Sequence, residues 1–392
     1  MNYQFSDRVN NLKPSAIREI FKYSADPSYI PLSAGNPAPE AFPSSIIADI
    51  TGEILRESPI AALQYSITEG YVPLREHIED YMSKKHNVGS SSDAVLVTSG
   101  AQQVMDLFTK SIVNPGDIVL CENPSFIGSL NTFRSYQAQL LGVPMEDDGI
   151  DTDALEDILM SSDKIKYFYT IPNFQNPSGI TMSLEKRKRV YELCKTYNVM
   201  ILEDNPYGDL RFRGEDIPSI KSFDTEGIVM YSGSFSKVIA PGLRVGFAIG
   251  PAPVIQKMVV CKQGEDVHTN ILAQIICHRF MTQYDYSAHL AGLRKLYSEK
   301  GELLENAMNT YLKPKGITWR PFDGGLFAWC TLPDNVDMMD YVSDALERHV
   351  CVVPGTAFLT DDTAASSSFR INFSTPTDRQ LVTGIKLLSE IL

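Results

Sequence analysis

Several short polar clusters in this chain carry residue types that could do chemistry. Ser234-Phe235-Ser236-Lys237 sets an amine among small residues, and an amine is the group that condenses with a carbonyl. Glu203-Asp204-Asn205-Pro206-Tyr207 supplies two carboxylates and a phenol, and Asn176 an amide ahead of a proline. Thr98-Ser99-Gly100 precedes Ala101 and Gln102, whose backbone N–H groups would open a helix, the place where an anion is attracted. Arg244 and Arg370 could each fork onto a phosphate or a carboxylate. Taken singly, each cluster reads as well as a turn, a cap or a solvated charge.

Their position in the chain sets them apart. Apolar runs at 95–98, 118–121, 139–143, 165–170, 199–203, 228–232 and 245–249 read as strands, several of them covered on both faces. Helical spacing fills stretches between them, as at 101–113 and 183–197. Such alternation predicts an α/β fold, a doubly wound and mainly parallel seven-stranded sheet. The polar clusters directly follow the first, fourth, fifth and sixth runs, and ligands sit at strand ends in such sheets. After about residue 290 a helix at 291–312 and short runs at 317–320, 327–331, 350–353 and 369–373 predict a smaller α+β domain. The Pro-, Gly-, Ser- and Asn-rich start is expected to pack there. The expected division is a large domain at 46–290 and a small one from 1–45 and 291–392.

Composition limits the function classes. The 392 residues are 43% hydrophobic with a net charge of -13, which argues against a general nucleic-acid surface. The six cysteines form no CxxC pair and no zinc spacing with histidine, so a reducing compartment is the default. No apolar run approaches ~20 residues and the start lacks a signal-peptide core, so a cytoplasmic protein is expected, with no membrane partner. No glycine-rich dinucleotide turn is evident, which sets aside a dehydrogenase.

Ser99-Gly100-Ala101-Gln102-Gln103, Asn176-Pro177-Ser178-Gly179, Glu203 to Tyr207, Ser234 to Lys237, Gly242-Leu243-Arg244 and Arg370-Ile371-Asn372-Phe373 occur in that order. The set resembles the class I and II aminotransferases of pyridoxal-phosphate (PLP) fold type I, nearest the 2-aminoadipate, kynurenine and aromatic branch that also contains MocR-type regulators. The resemblance runs from about Ser15 to the C-terminus. It implies PLP as cofactor, held by Lys237 as a Schiff base. Asp204 would stabilise the protonated ring nitrogen; alternation along a strand sends its rival Glu203 to the other face. Tyr207 and Asn176 would donate to the phenolic oxygen, Asn176 from a peptide bond that is cis in related enzymes. Ser234, Ser236, Arg244 and the N–H groups of Ala101 and Gln102 would hold the phosphate, with the Gln102 side chain as an extra donor. Phe126, where many relatives have Tyr, would stack on the ring. Arg370 would clamp the substrate carboxylate, near the backbone of Gly35.

The resemblance further implies a homodimer with shared sites, Tyr65 of Leu63-Gln64-Tyr65 reaching the neighbouring phosphate. Arg18, in Ser15-Ala16-Ile17-Arg18, matches an arginine that can pair with a substrate side-chain carboxylate. The activity implied is a ping-pong transfer of an amino group from an L-amino acid of 2-aminoadipate, aromatic or aliphatic type to a 2-oxo acid such as 2-oxoglutarate. A PLP lyase on the same scaffold is one alternative. A MocR-like effector domain is another, disfavoured because the pattern begins by Ser15 and leaves no room for a DNA-binding segment before it.

Overall fold

Near-continuous apolar sequence fills the centre of the main sheet. The computed structural model describes residues 3–10, 23 and 26–392, and structural statements concern those residues. Eight strands form the sheet: β1 (Asp93–Thr98), β2 (Ile118–Asn123), β3 (Gln139–Glu146), β4 (Gly149–Ile150), β5 (Ile165–Thr170), β6 (Met200–Asp204), β7 (Val229–Ser234) and β8 (Gly246–Pro251). Their order is β1-β8-β7-β6-β5-β2-β3-β4. Strands β3, β2, β5, β6 and β7 run parallel, while β8 is antiparallel to both β7 and β1. All seven expected runs are strands. The eighth is a correction to the seven-stranded expectation: Asp147-Asp148 turns the chain so that Met145 and Glu146 pair with Ile150 and Gly149. A two-residue strand carries no periodicity to read.

This order sends one set of chain ends to one edge. Strands β2, β5, β6 and β7 finish there at Asn123, Thr170, Asp204 and Ser234. β1 is antiparallel to β8, so Thr98 finishes at that edge too, beside the start of β8 at Gly246. The polar clusters therefore share one rim.

The second sheet is antiparallel, in the order Val353–Pro354 (β11), Ser368–Asn372 (β12), Phe327–Thr331 (β10) and Thr318–Trp319 (β9). The N-terminal stretch joins it. Ile30 bridges Val350 in parallel, and Asn372 N–H donates to Leu32 O at 2.7 Å. Helix Tyr286–Ala307 is continuous across residue 290. The six cysteines are free thiols, and among the described residues no helix is long and apolar enough to cross a membrane.

Candidate active site

Lys237 lies between β7 and the 3-10 turn Pro241–Leu243 that precedes β8, and its Nζ donates to Gly35 O at 2.6 Å. Burial, then the positive charges of Arg370 and Arg244, pull this amine down from the usual lysine range to about 8. Arg370, on β12, is buried. Its Nη1 donates to Asn176 Oδ1 and its Nη2 to Ser33 O, both at 2.7 Å, while Nε has no partner. Its guanidinium lies 4.3 Å from the centre of the Phe327 ring and 5.0 Å from that of Phe358. Asn176 stands in a cis Asn176–Pro177 peptide; Asn123–Pro124 is cis as well. Asn176 Nδ2 contacts Tyr207 Oη loosely, at 3.5 Å. The Tyr207 ring packs edge-on against Phe327, and burial pushes its phenol up while Arg370 opposes the rise.

Adjacent carboxylates end β6, and the pleat separates them. Glu203 is saturated: it accepts from Ser219 Oγ at 2.7 Å, Ile220 N at 2.9 Å and Lys221 N at 2.8 Å. Asp204 accepts from Tyr169 Oη at 3.0 Å through Oδ2, and Oδ1, though buried, has no donor. The Ser232 hydroxyl is close enough to help lower the pKa but makes no hydrogen bond of good geometry. Burial wins, and the carboxyl rises to about 7. A dry carboxylate with an oxygen left over fits a cationic N–H donor such as a protonated pyridine nitrogen.

At the rim's other end an uncapped helix start lies beside Arg244. Helix Ala101–Ile112 begins after Gly100 with no side-chain cap, so its first N–H groups stay open. Gly100 takes φ +83°, and a Cβ there would lie 2.3 Å from Arg244 Nη2, so only glycine admits that guanidinium. A Cβ on Gly246 would meet Ala101 N at 2.7 Å, so this residue too must stay small for β8 to pass the helix start. Arg244 donates to Ser99 O at 3.1 Å. Ser234 Oγ accepts from Ser236 N–H at 3.2 Å, holding the turn toward Lys237. The Gln102 side chain is engaged elsewhere: its amide donates to Thr132 Oγ1 at 2.6 Å and Gly128 O at 3.0 Å. Phe126, at the start of helix Ile127–Ser135, packs its ring against Gly128.

Tyr65 stands apart, 81% exposed, its ring edge-on to His268. Arg18 lies outside the described residues. A cavity of about 440 Å³, lined by Tyr81, His86, Asn173, Asn205, Tyr231 and Tyr286, reaches Ser234 at the end of β7 but is not lined by Asp204 or Lys237. Sequence reasoning missed Tyr169 and Ser129, where Ser129 Oγ donates to Tyr169 Oη at 2.9 Å and Tyr169 to Asp204. It also missed Glu122, which anchors Gln175 Nε2 at 3.0 Å and so braces the Asn176 loop.

A largely buried amine, an under-donated carboxylate and an open helix start lie along one rim of the main sheet, and a buried arginine from the second sheet joins them through Asn176. The chain belongs to the aminotransferase class I and II family, whose model matches residues 27–387. It is 36% identical to aromatic-amino-acid aminotransferase 1 of Thermococcus litoralis, over 99% of this chain and 94% of that one. Its fold superposes on the kynurenine aminotransferase of Pyrococcus horikoshii, solved with PMP, at a TM-score of 0.94 and 36% identity, covering 98% of this chain and 96% of the other. The α-aminoadipate aminotransferase LysN of Thermus thermophilus, solved with N-(5'-phosphopyridoxyl)-L-leucine, follows at 0.90 and 33%, with 98% and 96% covered. The protein is a PLP-dependent aminotransferase of fold type I.

Proposed function

We propose that this enzyme moves the amino group of an L-amino acid of 2-aminoadipate, aromatic or aliphatic type to a 2-oxo acid, 2-oxoglutarate being the favoured acceptor. The observation that carries the reading is the joining of Arg370, Asn176 and Tyr207 by hydrogen bonds, with Lys237 beside them and Asp204 unsatisfied. PLP, when bound, supplies an electrophilic carbonyl and an electron sink. Lys237 holds it covalently, and its depressed pKa leaves a usable share of free amine near neutral pH. Asp204, with Oδ1 unpartnered, would accept a hydrogen bond from the ring nitrogen. Asn176 and Tyr207 donate to the phenolic oxygen, and Phe126 covers the ring. Ala101 and Gln102 N–H, Ser234, Ser236 and Arg244 bind the phosphate. Arg370 forks onto the substrate carboxylate beside Gly35. Lys237 Nζ, as a free amine, would take the substrate Cα proton as base and then return a proton as acid. The second half runs the same proton back for the 2-oxo acid.

Relatives with kynurenine, aromatic and α-aminoadipate names, and a leucine adduct in one of them, support a broad donor range. Arg18 is the proposed partner of an acidic side chain. Exposed Tyr65, Leu63 and Ile60 support a dimer in which Tyr65 reaches the partner's phosphate. A cytoplasmic enzyme is in keeping with six free thiols. The proposed domains, 46–290 against 1–45 and 291–392, would share the helix that crosses residue 290.

The test is a half-reaction screen with single amino acids, following the visible band of the bound cofactor. Glutamate and at least one apolar or aromatic donor should bleach the band, and 2-oxoglutarate should restore it. In Arg18→Ala, glutamate should lose kcat/KM by ~10-fold or more, the worth of a charged hydrogen bond, with the apolar donor little changed. Side-chain cleavage without reversible bleaching would replace transamination by lyase chemistry.

A further inference from the structure

Ser99 is gripped at every polar atom. Its N–H donates to Gln103 Oε1 at 2.8 Å, its hydroxyl to Asp266 Oδ2 at 2.7 Å, and its carbonyl accepts from Arg244 at 3.1 Å. Behind these partners sits one ammonium. Lys262 Nζ donates to Gln103 Oε1 at 2.7 Å, to both Asp266 oxygens at 2.8 Å and to Thr269 Oγ1 at 3.0 Å. Its side chain is 0% exposed, near the end of helix Ala252–Gln263, and Asp266 is 29% exposed. Thr269 Oγ1 lies a further 3.2 Å from Ser99 Oγ.

A buried ammonium is costly unless every N–H is matched, and an apolar chain of the same volume would serve packing at least as well. The matching here is directed. Each acceptor of Lys262 is also a partner of Ser99, and Ser99 is the residue that faces Arg244 and precedes the open helix start. Fixed donors pointing at an anion's place spare the reorganisation that loose ones would undergo on binding.

We propose that Lys262, acting with Asp266, is a positioning residue for the phosphate cradle. It holds the Ser99 peptide so that the Arg244 guanidinium and the N–H groups of Ala101 and Gln102 converge on one anion. The inference rests on the reading that this cradle takes the cofactor phosphate.

Full-length apoprotein is titrated with PLP and with pyridoxal, which lacks the phosphate. Lys262→Met should weaken PLP by about 10-fold or more and pyridoxal by less than about twofold, since only charge-assisted contacts to the phosphate are misaligned. Asp266→Asn, nearly isosteric and partly exposed, should show the same selectivity at smaller size and carries the test if the lysine variant does not fold. Equal weakening of both ligands, or of neither, overturns the proposal. Arg244→Met is the control for the underlying reading. If it loses PLP selectively and the other two do not, only the role of Lys262 fails. If it shows no selectivity, the phosphate is held elsewhere, and the proposal falls with the cradle.

Discussion

Two buried arginines differ in what is left over. Burial pulls both Arg187 and Arg370 down to about 10. Arg187, on the Glu203 side of the sheet, uses all three nitrogens. It donates to the carbonyls of Met182, Pro172, Ile217 and Pro218 and to Asn173 Oδ1 at 2.7–3.2 Å. Arg370 uses two nitrogens and leaves Nε bare between aromatic rings. The carboxylates repeat the contrast, Glu203 with three donors and Asp204 with a spare oxygen. Saturated polar groups brace the loops that follow the strands. Asp204 and Arg370 instead keep unpartnered polar atoms on the side of the proposed site.

The contrast breaks most sharply at Asp204. Asp204→Asn should lower kcat by about a thousandfold, roughly 4 kcal/mol, by removing the counter-charge of the ring nitrogen. It should also stabilise the apoprotein above neutral pH. The sign follows from the raised pKa: the folded state holds a proton that the unfolded chain releases above about 4, so stability falls as pH climbs from there to about 7. The variant removes that loss, and thermal melts of apoprotein at pH 5 and 8 check it. Arg370→Lys comes next. A point charge without a fork should lose ~10- to 100-fold in kcat/KM, mainly through KM, for every amino acid tried.

Lys237 gives a smaller effect that sharpens the picture. With its pKa near 8, the rate at which apoprotein captures PLP should rise about fivefold from pH 7 to 8 and level off above about pH 9. A flat profile would mean the amine is not the titrating group. Arg187→Met should have the smallest kinetic effect, kcat/KM staying within about twofold. It should cost about 3–5 kcal/mol of stability, because several carbonyls lose their donor. Large kinetic loss in a folded Arg187 variant would erase the distinction between the two sides.

The sheet was readable because its strands are long apolar runs, and the rim because polar clusters follow them. The family resemblance pointed to Asp204 and strand alternation set its rival Glu203 on the other face; the structure shows the two on different networks. Tyr169 was not readable: inside Ile-Lys-Tyr-Phe-Tyr-Thr it looks like core, and its place beside Asp204 depends on β5 neighbouring β6. The Lys262–Asp266 spacing is that of an exposed helix pair, and only burial reveals otherwise. The Gln102 side chain turned to Thr132 because helix Ile127–Ser135 packs alongside, a contact no local pattern encodes.

Reduction with borohydride decides whether Lys237 holds the cofactor. The holoenzyme is reduced, digested and mapped by mass spectrometry. A single phosphopyridoxyl adduct is expected, on Lys237, absent from Lys237→Ala although that variant still binds PLP. An adduct on another lysine, or one that persists in the alanine variant at full yield, would contradict that role of Lys237.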